Sequence, residues 1–462
     1  MAQIGGVDRL SDLPDDILGH ILSFLPTAKE AGRAAVLSTR WRYVFAHVHT
    51  LSFQAVKRYN FWSDTMTFHL DSQERRSTNG NFVDRVNAAL LAHRRCARLA
   101  RIASLRVFRI AFHAYQPWDK DVVTMWEDDG RSEDRFTSDE EEEDVSFGDD
   151  ERRGRLKGWS FSFPRPLFSS AVLRSLRVSH GRLNPPAAIV LPSLQTLHLT
   201  NVPDSEETIQ RLVSSCPRLA DLTLESCSKL IRVSFPDKRL RRFALLCCHN
   251  VVSVSLDASE LHFLHYRGAV PAGSLFTFHG SPRIPSSTIK LCGPNQSSEE
   301  DLSGFRLFLE NFEAAKHLHL NFSRLRCSDG RKFLVGFPAF ATLHKLELTG
   351  SLDSHSITRV LQQTPNLEIL SLFLKRDPEH SPVIIPDATA VLCLQQRLKE
   401  INLVQYRGSP AQRMLAKLLL GNALVLEALC VVFRKKSLQV KTTLMTEIKG
   451  WMVSKSPKTS FL

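Results

Sequence analysis

Apolar residues along most of this chain fall into one six-residue figure, Leu-x-x-Leu-x-Leu. It reads Leu173-x-x-Leu176-x-Val178, then Leu194, Leu197 and Leu199, then Leu219, Leu222 and Leu224, then Leu240, Phe243 and Leu245. Further copies open at Leu261, Leu343, Leu367, Leu398 and Leu426, with weaker ones at Ser286 and Ala315. Apolar and polar residues that alternate mark a strand with one buried face. Copies begin roughly 21 to 31 residues apart, a spacing that fits stacked structural repeats. A second regularity stands about ten residues ahead of four of these strands, at the spacing apolar-x-x-apolar-apolar. It reads Ile209/Leu212/Val213, Phe305/Phe308/Leu309, Ile357/Val360/Leu361 and Ala416/Leu419/Leu420. That spacing lines one face of a helix, and Pro217 and Pro365 follow two of the four as helix stops. The repeating unit is therefore helix, stop, strand, loop, which predicts an α/β solenoid of parallel strands.

Ahead of the repeats, within residues 1–50, the pattern changes to three short helical stretches. Pro14 suits a helix's first turn, and Asp15 and Asp16 fall at its positive end. Ile17, Leu18, Ile21, Leu22, Phe24 and Leu25 make a wide apolar stripe that Pro26 ends. A second helix is expected over Lys29 to Leu37, and a third from about Arg40, with Trp41 and Tyr43. So small a unit cannot bury all of its apolar surface. Leu13, Pro14, Ile17, Leu18 and Ile21, together with Leu22, Leu25, Val36, Leu37 and Trp41, should divide between a small core and a partner-facing patch. Residues 51–125 read as a connector packing on the repeat domain, with a helix at Phe82, Val83, Val86, Leu90 and Leu91 and a strand at Leu105 to Ile110. The basic run His93 to Arg98 reads as a solvated helix end. Residues 126–157 hold the acidic run Asp139 to Asp144; like charges at this density predict a disordered insertion.

Composition narrows the function. The 462 residues carry a net charge of +12, yet the basic residues are dispersed, with no aromatic-basic interleaving, which argues against a nucleic-acid partner. The most apolar window, Leu415 to Phe433, is broken by Lys417, Asn422 and Glu427, so no membrane span is expected. Nine irregularly spaced cysteines without a C-x-x-C pair suit reduced, buried thiols and hence the cytoplasm or nucleus. Phosphate-loop, zinc-protease and nucleophile-elbow motifs are all missing, so no enzyme is expected. His317-Leu318-His319 is the nearest approach to a metal pair and lacks a third ligand in the sequence. No metal or cofactor is expected.

Asp8 to Leu18, with Ile21-Leu22-Ser23-Phe24-Leu25-Pro26-Thr27, resembles the opening of an F-box, and Val36 to Arg42 its closing motif. With the repeats behind it, the chain resembles a plant F-box protein of the leucine-rich-repeat class. Leu398 to Phe433, with Tyr406-Arg407-Gly408 and Asn422 to Glu427, resembles the C-terminal FBD module of such proteins. The resemblance implies an F-box at 1–50, ribonuclease-inhibitor-like leucine-rich repeats at 158–397 with parallel strands on a concave face, and an FBD-like repeat and tail at 398–462. It also implies a substrate-recognition subunit of an SCF-type cullin–RING ubiquitin ligase. The F-box would bind a Skp-type adaptor beside the cullin scaffold, and the repeats would hold a target protein. A repeat scaffold that takes no part in a ligase stays open as the alternative, as do nucleic-acid and small-molecule binding.

In each repeat the leucines face the core, and the residues between them face the opposite side of the sheet. That side is acidic early, at Asp221 and Glu225, and basic and histidine-rich in the middle. Arg242, His265, Arg267 and Lys290, with His317, His319 and Lys345, are the candidate anchors for an acidic or phosphorylated segment of the target.

Overall fold

The computed structural model describes residues 12–34, 37–54, 85–86, 88–97, 105–111, 163, 165–280, 283–292, 298–323, 332–334, 336–376, 391–434, 438–454 and 457–462. The chain divides into two compact units, Met1–Ala188 and Ile189–Leu462. The acidic insertion predicted at 126–157, Val36 and the connector residues Phe82 and Val83 lie outside the described residues.

The first unit opens with helices α1 (Asp15–Leu22), α2 (Ala28–Ala34) and α3 (Thr39–Val44). Pro14 takes the position just before α1 rather than its first turn, and Asp15 and Asp16 fill that turn. Ser38 caps α3 by accepting from the Trp41 N–H. Gly19 lets α1 close on the short turn at residues 45–47: a Cβ there would lie 2.3 Å from the Cβ of His47. Three parallel strands follow, β1 (Thr50–Gln54), β2 (Val107–Ala111) and β3 (Ser175–Ser179). Phe53 and Phe108 meet beneath them, at 5.8 Å between ring centroids. His93, expected on a solvated helix end, is instead buried: its Nε2 reaches the Val48 carbonyl at 2.8 Å while Arg94 and Arg95 stay exposed. The basic run therefore straddles the inner and outer faces of one helix.

In the second unit each leucine figure is a strand, and further strands stand between and after them. In order they are β4 (Thr196–Thr200), β5 (Asp221–Glu225), β6 (Arg232–Arg239), β7 (Arg242–Leu246), β8 (Ser253–Asp257), β9 (Phe263–Gly268), β10 (Phe276–His279), β11 (Ser286–Leu291) and β12 (His317–Asn321). The series continues as β13 (Lys345–Ser351), β14 (Ile369–Arg376), β15 (Glu400–Tyr406), β16 (Ala428–Phe433) and β17 (Lys458–Phe461). β4, β5, β7, β9 and then β11 to β17 lie side by side, all parallel, in sequence order. The register stacks Leu222, Phe243, Leu264, Ser287, Leu318 and Leu346 in one row across the sheet. All six are buried, so the repeat is a ladder with a continuous core. The FBD-like segment adds β15 and β16 to that ladder.

All four helices predicted from the second regularity are present: α4 (Glu206–Ser214), α5 (Glu299–Glu310), α6 (Ser354–Gln362) and α8 (Pro410–Asn422), with the short α7 (Leu392–Gln396) between the last two and α9 (Leu438–Trp451) after them. A capping box at Ser298 and Asp301 starts α5. What the pattern did not predict is a second parallel sheet, β10-β8-β6, on the return legs of three successive repeats. Val233 and Phe235 on β6, and Val254 and Leu256 on β8, alternate inward and replace the helix. Two of these repeats are the shortest, which leaves little chain for a helical turn and its loops.

Candidate functional site

Each unit carries one surface built from the residues singled out in the sequence. In the first, α1 presents two apolar stripes. Leu18 and Leu22 are 1% and 7% exposed and form the small core, so they do not belong to the surface. Ile17 and Ile21, one position earlier, are 43% and 42% exposed and share the neighbouring, outward face. Phe24 extends this stripe, and Leu25, Leu37 and Tyr43 are exposed as well. Pro14 is exposed, while Leu13 and Trp41 are half-buried. Phe24 and Tyr43 did not stand out as surface residues from spacing, because a helix end does not fix which way its last side chain points. Arg40 braces the patch: its Nε donates to Asp15 Oδ1 at 2.9 Å, and its guanidinium also donates to the Leu13 carbonyl.

The second surface is the helix-free face of the large sheet. Register sorts the candidate anchors into three rows that run across the strands. The first row reads Asp221, Arg242, Phe263, Ser286, His317 and Lys345. His265 and His319 share the middle row, on either side of Thr288. Glu225 and then Arg267 and Lys290 occupy the third row, the last two directly paired. Structure therefore brings His265, Arg267, Lys290 and His319 together. Arg242 lies on another row and stacks over Phe263, 4.6 Å from its centroid.

Acids compensate part of the predicted basic strip. Glu347 takes Lys345 Nζ at 2.7 Å and lies 3.8 Å from His319 Nδ1. Glu225 receives Thr200 Oγ1 at 3.0 Å and faces His198 Nε2 at 3.3 Å. Burial pushes the Glu225 carboxyl upward, but His198, Thr200 and Arg267 more than offset this and leave it below its ordinary value. His265 is drawn down to about 4, first by burial and then by Lys290, His319 and Arg267. Burial also lowers His319, against the pull of Glu347. Positive charge on this face at neutral pH thus rests on arginine and lysine, not on these two histidines.

This has a consequence for stability. His265 ionises near 6.5 when unfolded and near 4 when folded, so between those values the unfolded chain binds more protons. Stability should therefore fall as pH drops through that window, by about 2 kcal/mol at pH 5 from His265. Buried His93 and half-buried His319 shift in the same direction. Urea midpoints measured from pH 7 to 5 should decline in the native protein, and His265→Gln should flatten the decline.

One constellation escaped the sequence reading. Cys247, His249 and Cys292 place their ligand atoms within 4.8 Å of one another. Forty-five residues separate the two cysteines, and only the strand register reveals that they meet. His317 and His319 do not join such a group: His319 turns to Glu347 while His317 is exposed.

Comparison with known proteins agrees with this architecture. Residues 10–51 match a family model described as F-box-like, and residues 155–280 match the At1g61320/AtMIF1 LRR domain. The chain thus carries an F-box-like segment ahead of leucine-rich repeats. Over most of its length it is similar to F-box/FBD/LRR-repeat proteins of Arabidopsis thaliana. It is 25% identical to At5g22660 over 91% of this chain and 89% of that protein. Identity is 24% to At2g26030, with 93% of each covered. The F-box/LRR-repeat protein At3g59200 of the same plant is 28% identical over 79% of this chain and 69% of its own length.

Proposed function

We propose that this protein is the substrate receptor of an SCF-type ubiquitin ligase, with its F-box seated on a Skp-type adaptor bound to a cullin scaffold. The observation that carries the reading is the outward pair Ile17 and Ile21 on a helix whose other stripe already fills the small core, with exposed Phe24 in the turn that follows. Exposed apolar side chains grouped on one face mark an interface. The chemistry of ubiquitin transfer belongs to other subunits, and this chain supplies proximity. Cytoplasm and nucleus, where such ligases work, are the proposed locations.

The target binds on the helix-free face, around Arg267 and Lys290, with Arg242 on the neighbouring row. These cations, with Arg242 stacked over the aromatic Phe263, suit an acidic or phosphorylated segment. Reversing all three charges, as Arg242→Glu, Arg267→Glu and Lys290→Glu, should abolish capture of the target while leaving adaptor binding unchanged. Proteins that accumulate when the F-box is deleted identify the target, and capture is then measured by pulldown with each variant. Binding of the native protein should weaken with salt, most of all through exposed Arg242, because exposed charges are screened over about 10 Å at 0.1 M. Undiminished capture by the triple variant would remove this face from the account.

A further inference from the structure

We infer that Cys247, His249 and Cys292 form a binding site for a thiophilic d10 divalent cation, zinc above all, which clamps β7 to β11 across β9.

The geometry comes from the repeat. β7 and β11 both pair with β9 in parallel register, Leu246 opposite Arg267 and Leu291 opposite Gly268. Cys247 and Cys292 each follow directly on those strands, and their N–H groups donate to the carbonyls of Arg267 and Gly268. Cys247 takes the left-handed conformation, φ 52°, that Asn201 and Ser226 adopt at the corresponding turns after β4 and β5. The turn is therefore general to the repeat, while the thiol is particular to this position.

Two edges of the triangle approach those of a tetrahedral ion, and all three ligand atoms lie within 4.8 Å of one another. Cys247 Sγ lies 3.9 Å from Cys292 Sγ, and Cys292 Sγ lies 4.0 Å from His249 Nε2. Around zinc, with bonds of about 2.3 Å to sulfur and 2.0–2.1 Å to nitrogen, the corresponding edges are about 3.8 and 3.6 Å. A disulfide fits less well. Strands two apart in a sheet are separated by about 9.6 Å, whereas a disulfide spans Cα separations of about 4.4–6.8 Å. Neighbouring Cys248 takes no part, since its thiol donates to the carbonyls of Leu224 and Leu246.

Charge balances as well. Binding takes one proton from each thiol to solvent, and the two thiolates cancel the charge of the ion, so nearby Arg267 meets a neutral centre. His249 is exposed, which leaves the fourth position open to water. The clamp spans the repeats that carry Arg242, Arg267 and Lys290.

Cobalt(II) reads this directly. Reduced, metal-free full-length protein titrated with cobalt should develop a sulfur-to-cobalt charge-transfer band that saturates at one equivalent and is displaced by zinc. Cys247→Ser and Cys292→Ser should each diminish the band. His249→Ala, an exposed substitution that leaves the fold intact, should weaken binding at least tenfold, since even outer-shell partners of a metal cost 10–100-fold. Cys430→Ser, on a distant strand, should change nothing. Zinc should raise the melting temperature of the native protein and leave that of the doubly substituted cysteine variant unmoved. The inference is overturned if no band forms, if His249→Ala binds as tightly as the native protein, or if non-reducing peptide mapping of the purified protein finds Cys247 bonded to Cys292.

Discussion

Replacing Ile17 and Ile21 together by aspartate should weaken binding of the Skp-type adaptor at least a hundredfold and leave the melting temperature of the protein almost unchanged. Both side chains are more than 40% exposed, so the folded chain loses little by the exchange. At an interface the balance differs. Central apolar residues there are commonly worth about 2 kcal/mol or more each, and two such losses exceed the roughly 2.7 kcal/mol that separate a hundredfold in affinity. Each aspartate would also have to shed its water against an apolar surface. Leu18→Asp, by contrast, should unfold the F-box, because Leu18 is 1% exposed. Isothermal titration of the double variant, set beside its circular dichroism, separates the two effects. A double variant that binds as the native chain does would place the adaptor interface elsewhere.

Phe308→Ala should lower the stability of the repeat unit by about 3–5 kcal/mol, the usual cost of removing a core phenylalanine. Phe308 is fully buried on α5 and is the hub of an aromatic cluster. Its ring lies 5.6 Å from Tyr266, 5.7 Å from Phe276, 5.8 Å from Phe305 and 5.3 Å from Phe312. Those rings belong to β9, β10, α5 and the turn after it, so one deletion loosens a helix, both sheets and a loop. In a repeat array the damage should concentrate in the neighbouring repeats. Hydrogen exchange should accelerate most around β9 to β12, and the denaturation midpoint should fall. Phe24→Ala is the matching control: that ring is 74% exposed, and its loss should cost the fold almost nothing.

The ladder of strands was legible because two consecutive buried positions on a strand need only alternation, and Leu197/Leu199 or Leu346/Leu348 supply it without ambiguity. Helices were legible where the repeat was long enough to hold a full apolar stripe, as at Ile209, Leu212 and Val213. Strands β6, β8 and β10 were not. Their apolar pairs fall between the recurring leucine figures, and nothing local decides whether Val254 and Leu256 face a core of their own. The F-box helix illustrates the limit of spacing. Leu18 and Ile17 are equally apolar and adjacent, yet one is core and the other surface, and only the packing of α1 against the 45–47 turn chooses between them.

Candidate site residues were legible by face but not by state. Parity along the strand placed Arg267 and Lys290 correctly on the helix-free side. It could not show that burial holds His265 neutral, because that depends on residues one or two repeats away. The cluster of Cys247, His249 and Cys292 was illegible for the same reason. It arises from register across Gly268, and no linear spacing marks it.

Size-exclusion chromatography with light scattering on the full-length chain mixed with a purified Skp-type adaptor bears most directly on the whole account. One-to-one co-elution, lost when Ile17 and Ile21 become aspartate, is the predicted result. Separate elution of two folded proteins would contradict it.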